Sequence, residues 1–224
     1  MQGQPTMTSR YSHTVVMGDL VSSERSPSVP DLHRVFNEVI DQVNEDDQRK
    51  LVSPLTITLG DEFQGICANL SDGLALLRKL RAGMLLKLLE CRFVLGVISL
   101  ETPINNDRAW NMMGPGLAAS RKRLADKRDG NAYRFVLPDQ PTVQILMDGV
   151  GAAVTDIESD WTDRQRQVIL LSERKAVGDL VTQLGMSTAT YYKIRRAGRF
   201  ELYEHEWRAL TESAAALDRH YGLL

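Results

Sequence analysis

The order of strand-like and helical segments over the first 137 residues constrains the fold of this chain more than any other feature. A β-branched strand that ends at Gly18 and Asp19 is followed by an amphipathic helix that begins near Ser28. Two apolar segments separated by Gly60 and Asp61 then predict a β-hairpin. The later elements are a long helix capped by Ser71, a strand at 91–100, a helix around 114–128 and a strand at 132–137. This β-α-β-β-α-β order predicts an α/β (α+β) fold with a ferredoxin-like sheet, in which the first strand lies beside the hairpin.

Beyond about Gln140 the strand signal ends and the sequence is typical of helices. A helix is expected over 142–159, and Thr162 with Gln165 three residues later has the spacing of a capping box. The last segment, 201–224, has apolar residues in helical register and is expected to be a packing or dimer element. The predicted divisions are a disordered tail at 1–12, a palm domain at 13–140, a linking helix at 141–160 and a small all-α helix-turn-helix domain at 161–224.

Composition indicates a globular protein without membrane segments: 43% of the residues are hydrophobic, 25% are charged, and no run of apolar residues is long enough to cross a bilayer. The first residues lack the pattern of a signal peptide, so a cytoplasmic location is expected. Cys67 and Cys91 lie in apolar, strand-like sequence, which favours buried thiols over a disulfide or a metal site. The net charge of −2 argues against nucleic-acid binding by the chain as a whole, although cations cluster near residues 193–199.

Carboxylates stand at two of the predicted strand ends. Asp19 closes the first strand, while Asp61 and Glu62 lie at the turn of the hairpin. Neighbouring strands are about 5 Å apart, so Asp19 and Asp61 are expected to meet at one edge of the sheet, where they can hold divalent metals against phosphates. The structural alternative is that short acidic side chains only stabilise the turns.

The segments VVMGDLVSSE and TLGDEFQGI resemble the two metal-binding segments of the class III nucleotidyl cyclases and of the related GGDEF palm domains. The resemblance extends to FVLGVISL and GPGLAASRKRL, which are similar to a cyclase strand and to the helix that carries a catalytic arginine. It covers about residues 13–136. The whole chain, with its C-terminal helix-turn-helix, looks most like the SatD family of small bacterial proteins.

This resemblance implies roles for individual residues. Asp19 and Asp61 match the carboxylates that bind two Mg²⁺ or Mn²⁺ ions, and the implied ligand is a nucleoside triphosphate or another nucleotide. Glu62, expected on the opposite face from Asp61, is a reserve metal ligand. Arg121 matches the catalytic arginine, although its helix also has the composition of a solvated charged face, and Leu117 stands where the cyclases have an asparagine. The segment implied to cradle the metal and the polyphosphate is Leu20, Val21, Ser22 and Ser23.

Residues 176–200 predict a helix-turn-helix with a basic second helix. Gly185 permits the left-handed turn between the helices, and Ser187 or Thr188 is the expected cap of the second. The unit resembles the DNA-reading part of sigma-region-4-like regulators, whereas the structural alternative is a basic helix that only packs. The residues expected to contact double-stranded DNA are Ser187, Thr188, Thr190, Tyr191, Lys193, Arg195, Arg196 and Arg199.

These patterns lead to one hypothesis and two alternatives. The hypothesis is a transcriptional or stress regulator in which a nucleotide- and Mg²⁺-binding palm domain is coupled to a DNA-binding helix-turn-helix, and which forms a homodimer. The first alternative is an active metal-dependent nucleotidyl cyclase or nucleotidyltransferase. The second is a degenerate palm domain that binds no ligand and serves in protein interaction.

Overall fold

The computed structural model describes residues 11–21, 28–173 and 175–223. The strands in this part of the chain are β1 (His13–Leu20), β2 (Leu51–Leu59), β3 (Glu62–Cys67), β4 (Cys91–Ile98) and β5 (Tyr133–Val136). The α-helices are α1 (Val29–Asp46), α2 (Leu70–Leu86), α3 (Pro115–Leu124), α4 (Pro141–Ser159), α5 (Asp163–Ser172), α6 (Val177–Gln183), α7 (Thr188–Ala197) and α8 (Phe200–Tyr221). Within the described ranges, every helix falls short of the length and apolar character that a bilayer-crossing segment needs.

The five strands form one sheet in the order β2-β3-β1-β4-β5. β1 is antiparallel to both of its neighbours, β3 and β4, while β5 is parallel to β4 at the edge of the sheet. The first strand therefore lies beside the hairpin, and the predicted ferredoxin-like arrangement is confirmed. The antiparallel pairing brings the end of β1, the turn between β2 and β3, and the start of β4 together at one end of the strands, which forms one edge of the sheet.

The two faces of the sheet are covered by different helices. Val16 and Leu20 of β1 belong to the main core, which also contains Phe36 of α1 and the buried side of α2. Val15 and Met17 point the other way, into a smaller core that includes residues of α3. Successive strand residues face opposite sides of a sheet, so this alternation assigns a face to every residue of β1.

Local signals account for the ends of several helices. Ser28 caps α1 and Pro30 lies in its first turn, as predicted. Thr162 and Gln165 form the predicted capping box of α5. The prediction for α2 was wrong, because Asn69 is its cap. The Ser71 hydroxyl, the expected cap, instead donates a hydrogen bond to a carboxylate oxygen of Asp218.

The last helix shares the core of the sheet. α8 packs on α2 and α4, and its Trp207 ring lies edge-on to Tyr133 of β5, with centroids 5.3 Å apart. Asp218 of α8 is buried and accepts hydrogen bonds from the main-chain N–H groups of Leu70 (2.6 Å) and Ser71 (3.0 Å) at the start of α2. The stripe that was expected to pack or dimerise is thus buried within the chain.

Helices α5, α6 and α7 have a small core of their own, centred on Val168, Leu180 and Tyr191. The predicted division of the chain near residue 160 stays a prediction. Within the predicted second domain, α8 and the residues Ile169 and Leu170 of α5 belong to the main core. Residues 1–10 of the predicted tail lie outside the described residues, whereas Tyr11 packs edge-on against Tyr221. Both cysteines are buried free thiols, as predicted, and burial raises their pKa values.

Candidate functional site

The predicted carboxylates meet at one edge of the sheet. Asp19 of β1 is the direct cross-strand partner of Glu62 of β3. Asp61 lies in the turn just before Glu62, and its main-chain carbonyl accepts a hydrogen bond from the N–H of Leu20 at 3.1 Å. The hairpin turn is therefore joined directly to the end of β1.

Strand alternation places Asp19 on the face of the sheet that α3 covers, two residues beyond Met17. Its cross-strand partners Glu62 and Arg92 share that face, as does Gln64, the partner of Met17. Glu62 is therefore a direct neighbour of Asp19 in the sheet. This position makes it a stronger candidate metal ligand than the sequence indicated.

Asp19 is held by an ion pair that the sequence did not predict. Arg92 Nε lies 2.9 Å from Asp19 Oδ2, and the two side chains are only 11% and 13% exposed. Burial raises the pKa of Asp19 above its ordinary value, Arg92 opposes that rise, and Asp61 and Glu62 add to it. The three carboxylates thus repel one another at a partly desolvated position, where one arginine supplies the main compensation.

These carboxylates meet the needs of a divalent metal only in part. Among the residues that the structure describes, no group of three or more His, Cys, Asp or Glu side chains is placed to hold a metal ion. Mg²⁺, however, is commonly bound by one or two protein carboxylates together with phosphate oxygens and waters. Two carboxylates would meet that smaller requirement, with the remaining positions of the cation filled by its ligand, and the metal-binding role of Asp19 and Asp61 stays a prediction.

Part of the segment expected to cradle phosphates already forms main-chain hydrogen bonds within the protein. The N–H of Leu20 donates to Asp61, and the N–H of Val21 donates to the Glu90 carbonyl at 2.8 Å, because β1 continues as a paired strand up to this point. Those two amides are not available to a phosphate, and this part of the prediction was wrong. Ser22 and Ser23 lie outside the described residues.

Arg121 projects from α3 toward the hairpin. α3 packs closely on β4 because Gly116 has no side chain; a Cβ there would come within 2.6 Å of the Ile98 Cα atom. The Arg121 Nη2 donates to Gln64 Oε1 at 3.2 Å. Both residues line a cavity of about 400 Å³ together with Glu62 and the exposed ring of Trp110. Arg121 therefore lies on the same face as the carboxylates, and its catalytic role stays a prediction.

A second, larger pocket opens beside Asp19, on the β4 side. Its volume is about 650 Å³, and it lies between the starts of β4 and β5 and the helices α4 and α5. Five of its lining residues are cations: Arg81, Arg92, Lys127, Arg134 and Arg166. Two lining residues are carboxylates: Glu90, which pairs with Arg81, and Asp129, which pairs with Arg134. The sequence did not predict this pocket, because its residues come from six separate parts of the chain and no motif joins them.

The helix-turn-helix segment has the predicted helices but a different outward face. Gly185 adopts the left-handed conformation at φ +59°, and Ser187 caps α7. Tyr191 was expected to meet bases, but its side chain is 1% exposed and lies in the core of α5–α7. Of the predicted DNA contacts on α7, those that remain exposed are Thr188, Thr190, Lys193 and Arg196.

Two of the predicted phosphate contacts are engaged within the protein. The guanidinium of Arg195 lies 3.6 Å from the centroid of the Phe200 ring. Arg199 forms ion pairs with Asp156 (3.4 Å) and Asp160 (2.7 Å) at the end of α4. These contacts within the protein make the two cations unavailable for DNA phosphates.

Comparisons with known proteins place the chain in a family. The family model described as the SatD family matches residues 13–188. Among solved structures, a bacterial light-regulated adenylyl cyclase has 12% sequence identity and a TM-score of 0.43, with 56% of this chain and 75% of that chain covered. The guanylate cyclase domain of RhGC from Catenaria anguillulae, in complex with GTP, has 13% identity and a TM-score of 0.37, with 52% of this chain and 74% of that chain covered. No curated protein matches the sequence. Because the family match covers more than half of its residues, this chain belongs to the SatD family.

Proposed function

We propose that this protein binds a nucleotide together with a divalent cation at the edge of the sheet where β1 ends. The observation that carries the proposal is the juxtaposition of opposite charges there. Asp19, Asp61 and Glu62 lie together at the end of β1 and the hairpin turn, and a pocket with five cationic side chains opens beside them. A metal-bound phosphate needs both kinds of charge: oxygen ligands for the cation and positive groups for the phosphate.

In this proposal Asp19 and Asp61 hold Mg²⁺ or Mn²⁺ through carboxylate oxygens. When bound, the cation neutralises charge on the phosphates. A cation at Asp19 has to compete with Arg92 for the same carboxylate. Binding of the cation therefore frees Arg92 for the phosphate, so the two ligands should each increase the affinity for the other.

Titration calorimetry with each nucleoside triphosphate, in the presence of Mg²⁺ or Mn²⁺, tests the proposal. Asp19→Asn combined with Asp61→Asn should remove metal-dependent binding, because the substituted amides keep the side-chain size but lose the charge. Asp179→Asn, an exposed carboxylate on α6, is the matched control. Binding that is unchanged in the double variant, with the fold intact by circular dichroism, overturns the proposal.

An enzymatic version of the same site is the second candidate, an active nucleotidyl cyclase or nucleotidyltransferase. The position of Arg121 beside Gln64, on the face that carries Glu62 and Asp19, favours it. Against it stands Leu117 in place of the asparagine of the cyclases. Chromatography of the binding mixtures distinguishes the two, since only the enzymatic version releases a product.

We further propose that α7 contacts double-stranded DNA and that nucleotide binding regulates this contact, as in a cytoplasmic transcriptional or stress regulator. The supporting observation is the exposed face of α7, where Lys193 and Arg196 form no ion pair with the residues that the structure describes. Thr188 and Thr190 lie near the capped start of the helix, where a recognition helix meets base edges.

A homodimer is part of the same proposal. The face of the sheet that carries Arg121 also exposes three large apolar side chains, those of Leu59, Trp110 and Met113, which are 64%, 47% and 67% exposed. A second copy that covers this patch would bury it and would enclose the cavity beside Arg121.

A further inference from the structure

The cationic pocket next to Asp19 has walls from two parts of the chain. One wall comes from the sheet and from the segment that links α3 to β5, and it carries Arg92 and Lys127. The other wall comes from helices α4 and α5, and it carries Thr155, Ser159 and Arg166. A ligand in this pocket would touch the sheet domain and the C-terminal helices at the same time.

The positively charged side chains of the pocket differ in how many ion pairs and hydrogen bonds they form within the protein. Arg81 is fully used: its Nε lies 2.8 Å from Glu158, and its Nη1 donates to the Cys91 carbonyl at 3.0 Å. Arg134 is also used, since it donates to main-chain carbonyls at the end of α3. These two residues build the pocket rather than serve a ligand.

The other three cations are the ones that a ligand can recruit. Lys127 is exposed and forms no ion pair with any residue in the described ranges. Within the described part of the chain, Arg166 pairs only with Asp163, a carboxylate that is 81% exposed, and its Nε is buried without a hydrogen-bond partner. Arg92 is bound to Asp19 and is released if a divalent cation takes that carboxylate.

We propose that this pocket binds an oligophosphate chain through Arg92, Lys127 and Arg166, and that Arg166 gives the C-terminal helices a direct contact with that chain. Phosphate oxygens suit these groups because a guanidinium can donate two parallel hydrogen bonds to them. A volume of about 650 Å³ is sufficient for a chain of several phosphates.

The position of the pocket identifies the source of the chain. Val21, the first residue after β1, lines it, and Arg92 joins it to Asp19. The phosphate tail of a nucleotide whose cation is held at Asp19 would extend into this pocket. In this form the inference rests on the proposed function, whereas a free inorganic oligophosphate would use the same three cations without a nucleoside.

The last turn of α4 connects the pocket to α7 and α8. Thr155 and Ser159 face the pocket, while Asp156 and Asp160 on the same turn hold Arg199, the residue between α7 and α8. Arg199 has a left-handed backbone at φ +57°, so this joint depends on side-chain contacts to keep its geometry. A chain bound in the pocket thus lies one helical turn from the joint that orients α7.

The test measures the affinity of the full-length protein, with Mg²⁺, for inorganic tripolyphosphate and for a nucleoside tri-, di- and monophosphate of the same base. Arg166→Ala and Lys127→Ala should each weaken binding of tripolyphosphate and of the triphosphate by about tenfold, the range for loss of one charge-assisted hydrogen bond. Binding of the monophosphate should change less than twofold, because a short ligand does not reach these groups.

Matched controls come from the neighbouring residues. Arg128 follows Lys127 and Arg164 lies on α5, and both are exposed and outside the pocket. Arg128→Ala and Arg164→Ala remove the same charge and should leave all four affinities unchanged. Because Lys127 is exposed, its variant keeps the test valid even if Arg166→Ala does not fold. Equal losses in the pocket and control variants overturn the inference, because they indicate only the net charge.

The outcomes separate this inference from the proposed function. If nucleotides bind but Lys127→Ala and Arg166→Ala have no effect, the pocket inference fails and the proposed function stands. If tripolyphosphate binds through both residues and a nucleoside adds no affinity, the pocket stands and the nucleotide proposal fails. If neither ligand binds to the wild type, both fail.

Discussion

Replacing Arg92 by glutamine isolates the ion pair at the edge of the sheet. Arg92 Nε and Asp19 Oδ2 are 2.9 Å apart, and both side chains are almost buried. Removing one partner of a buried ion pair commonly costs about 3–5 kcal/mol, because the other charge is left without compensation. Asp19 keeps some contact with solvent, so we expect the free energy of unfolding to fall by about 2–4 kcal/mol near neutral pH.

The loss should depend on pH in a defined direction. Burial, Asp61 and Glu62 raise the pKa of Asp19 above the unfolded value of 3.8, while Arg92 opposes them. Without Arg92 that pKa rises further. Asp19 then takes up a proton more readily in the folded chain than in the unfolded chain, which adds stability at low pH that is lost as the pH rises through the folded pKa. The stability loss of Arg92→Gln relative to wild type should therefore shrink as the pH falls from neutral toward acid.

Mg²⁺ should also reduce the loss in the free energy of unfolding that Arg92→Gln causes. A cation that binds only the folded chain stabilises it by an amount that grows with its concentration relative to Kd. In Arg92→Gln the cation no longer competes with the guanidinium for Asp19, so millimolar Mg²⁺ should stabilise this variant more than the wild type.

Urea denaturation, followed by tryptophan fluorescence, measures these effects in wild type, Arg92→Gln and the exposed control Arg128→Gln. A loss of less than about 0.5 kcal/mol, the scale of ordinary surface substitutions, would refute the importance of the ion pair. If the free energy of unfolding falls by the full amount and neither acid nor Mg²⁺ restores it, then the loss does not come from an unpaired charge on Asp19.

Three further predictions concern the cap of α2, the surface of α7 and the apolar patch. Asp218→Ala should lower the free energy of unfolding by about 3 kcal/mol in urea titrations, because two buried N–H groups lose a charged acceptor. In DNA-binding titrations against salt concentration, Lys193→Ala and Arg196→Ala should each reduce the slope by about one, whereas Arg199→Ala should not, since its guanidinium is already paired. Light scattering should show a dimer that becomes a monomer in Trp110→Asp; a wild type that is monomeric at high concentration contradicts the dimer.

Local signals in the sequence were sufficient for most of the framework. The cap at Ser28, the capping box at Thr162 and the hairpin turn at Gly60 each depend on residues within a few positions of one another. The order of these elements then determined the sheet, because few arrangements accommodate a hairpin between two helices. The edge position of the carboxylates followed from the same order.

Contacts between distant segments could not be predicted in this way. Arg92 looked like an ordinary residue of β4, and only the register of β1 against β4 shows that it opposes Asp19. Tyr191 and Arg199 carry side chains suited to DNA, yet their roles depend on what α5 and α4 place beside them. Asn69 caps α2 through the N–H of Asp72, while the hydroxyl of Ser71 is bound by Asp218 from the far end of the chain.

The buried links between the sheet and the last helix limit which part of the chain can move. Glu158 of α4 is buried, receives a hydrogen bond from the Tyr133 hydroxyl (2.5 Å) and pairs with Arg81 of α2. Together with Asp218 at the start of α2, these contacts fix α4 and α8 to the sheet, because breaking a buried polar link leaves unpaired groups at high cost. Ile169 and Leu170 also anchor α5 in the main core, whereas the buried residues of α6 and α7, Leu180 and Tyr191, lie in the small core alone. A ligand that acts on the C-terminal region should therefore reorient α6 and α7, which lie between the anchored helices α5 and α8, rather than swing the whole of residues 161–224 about a linker.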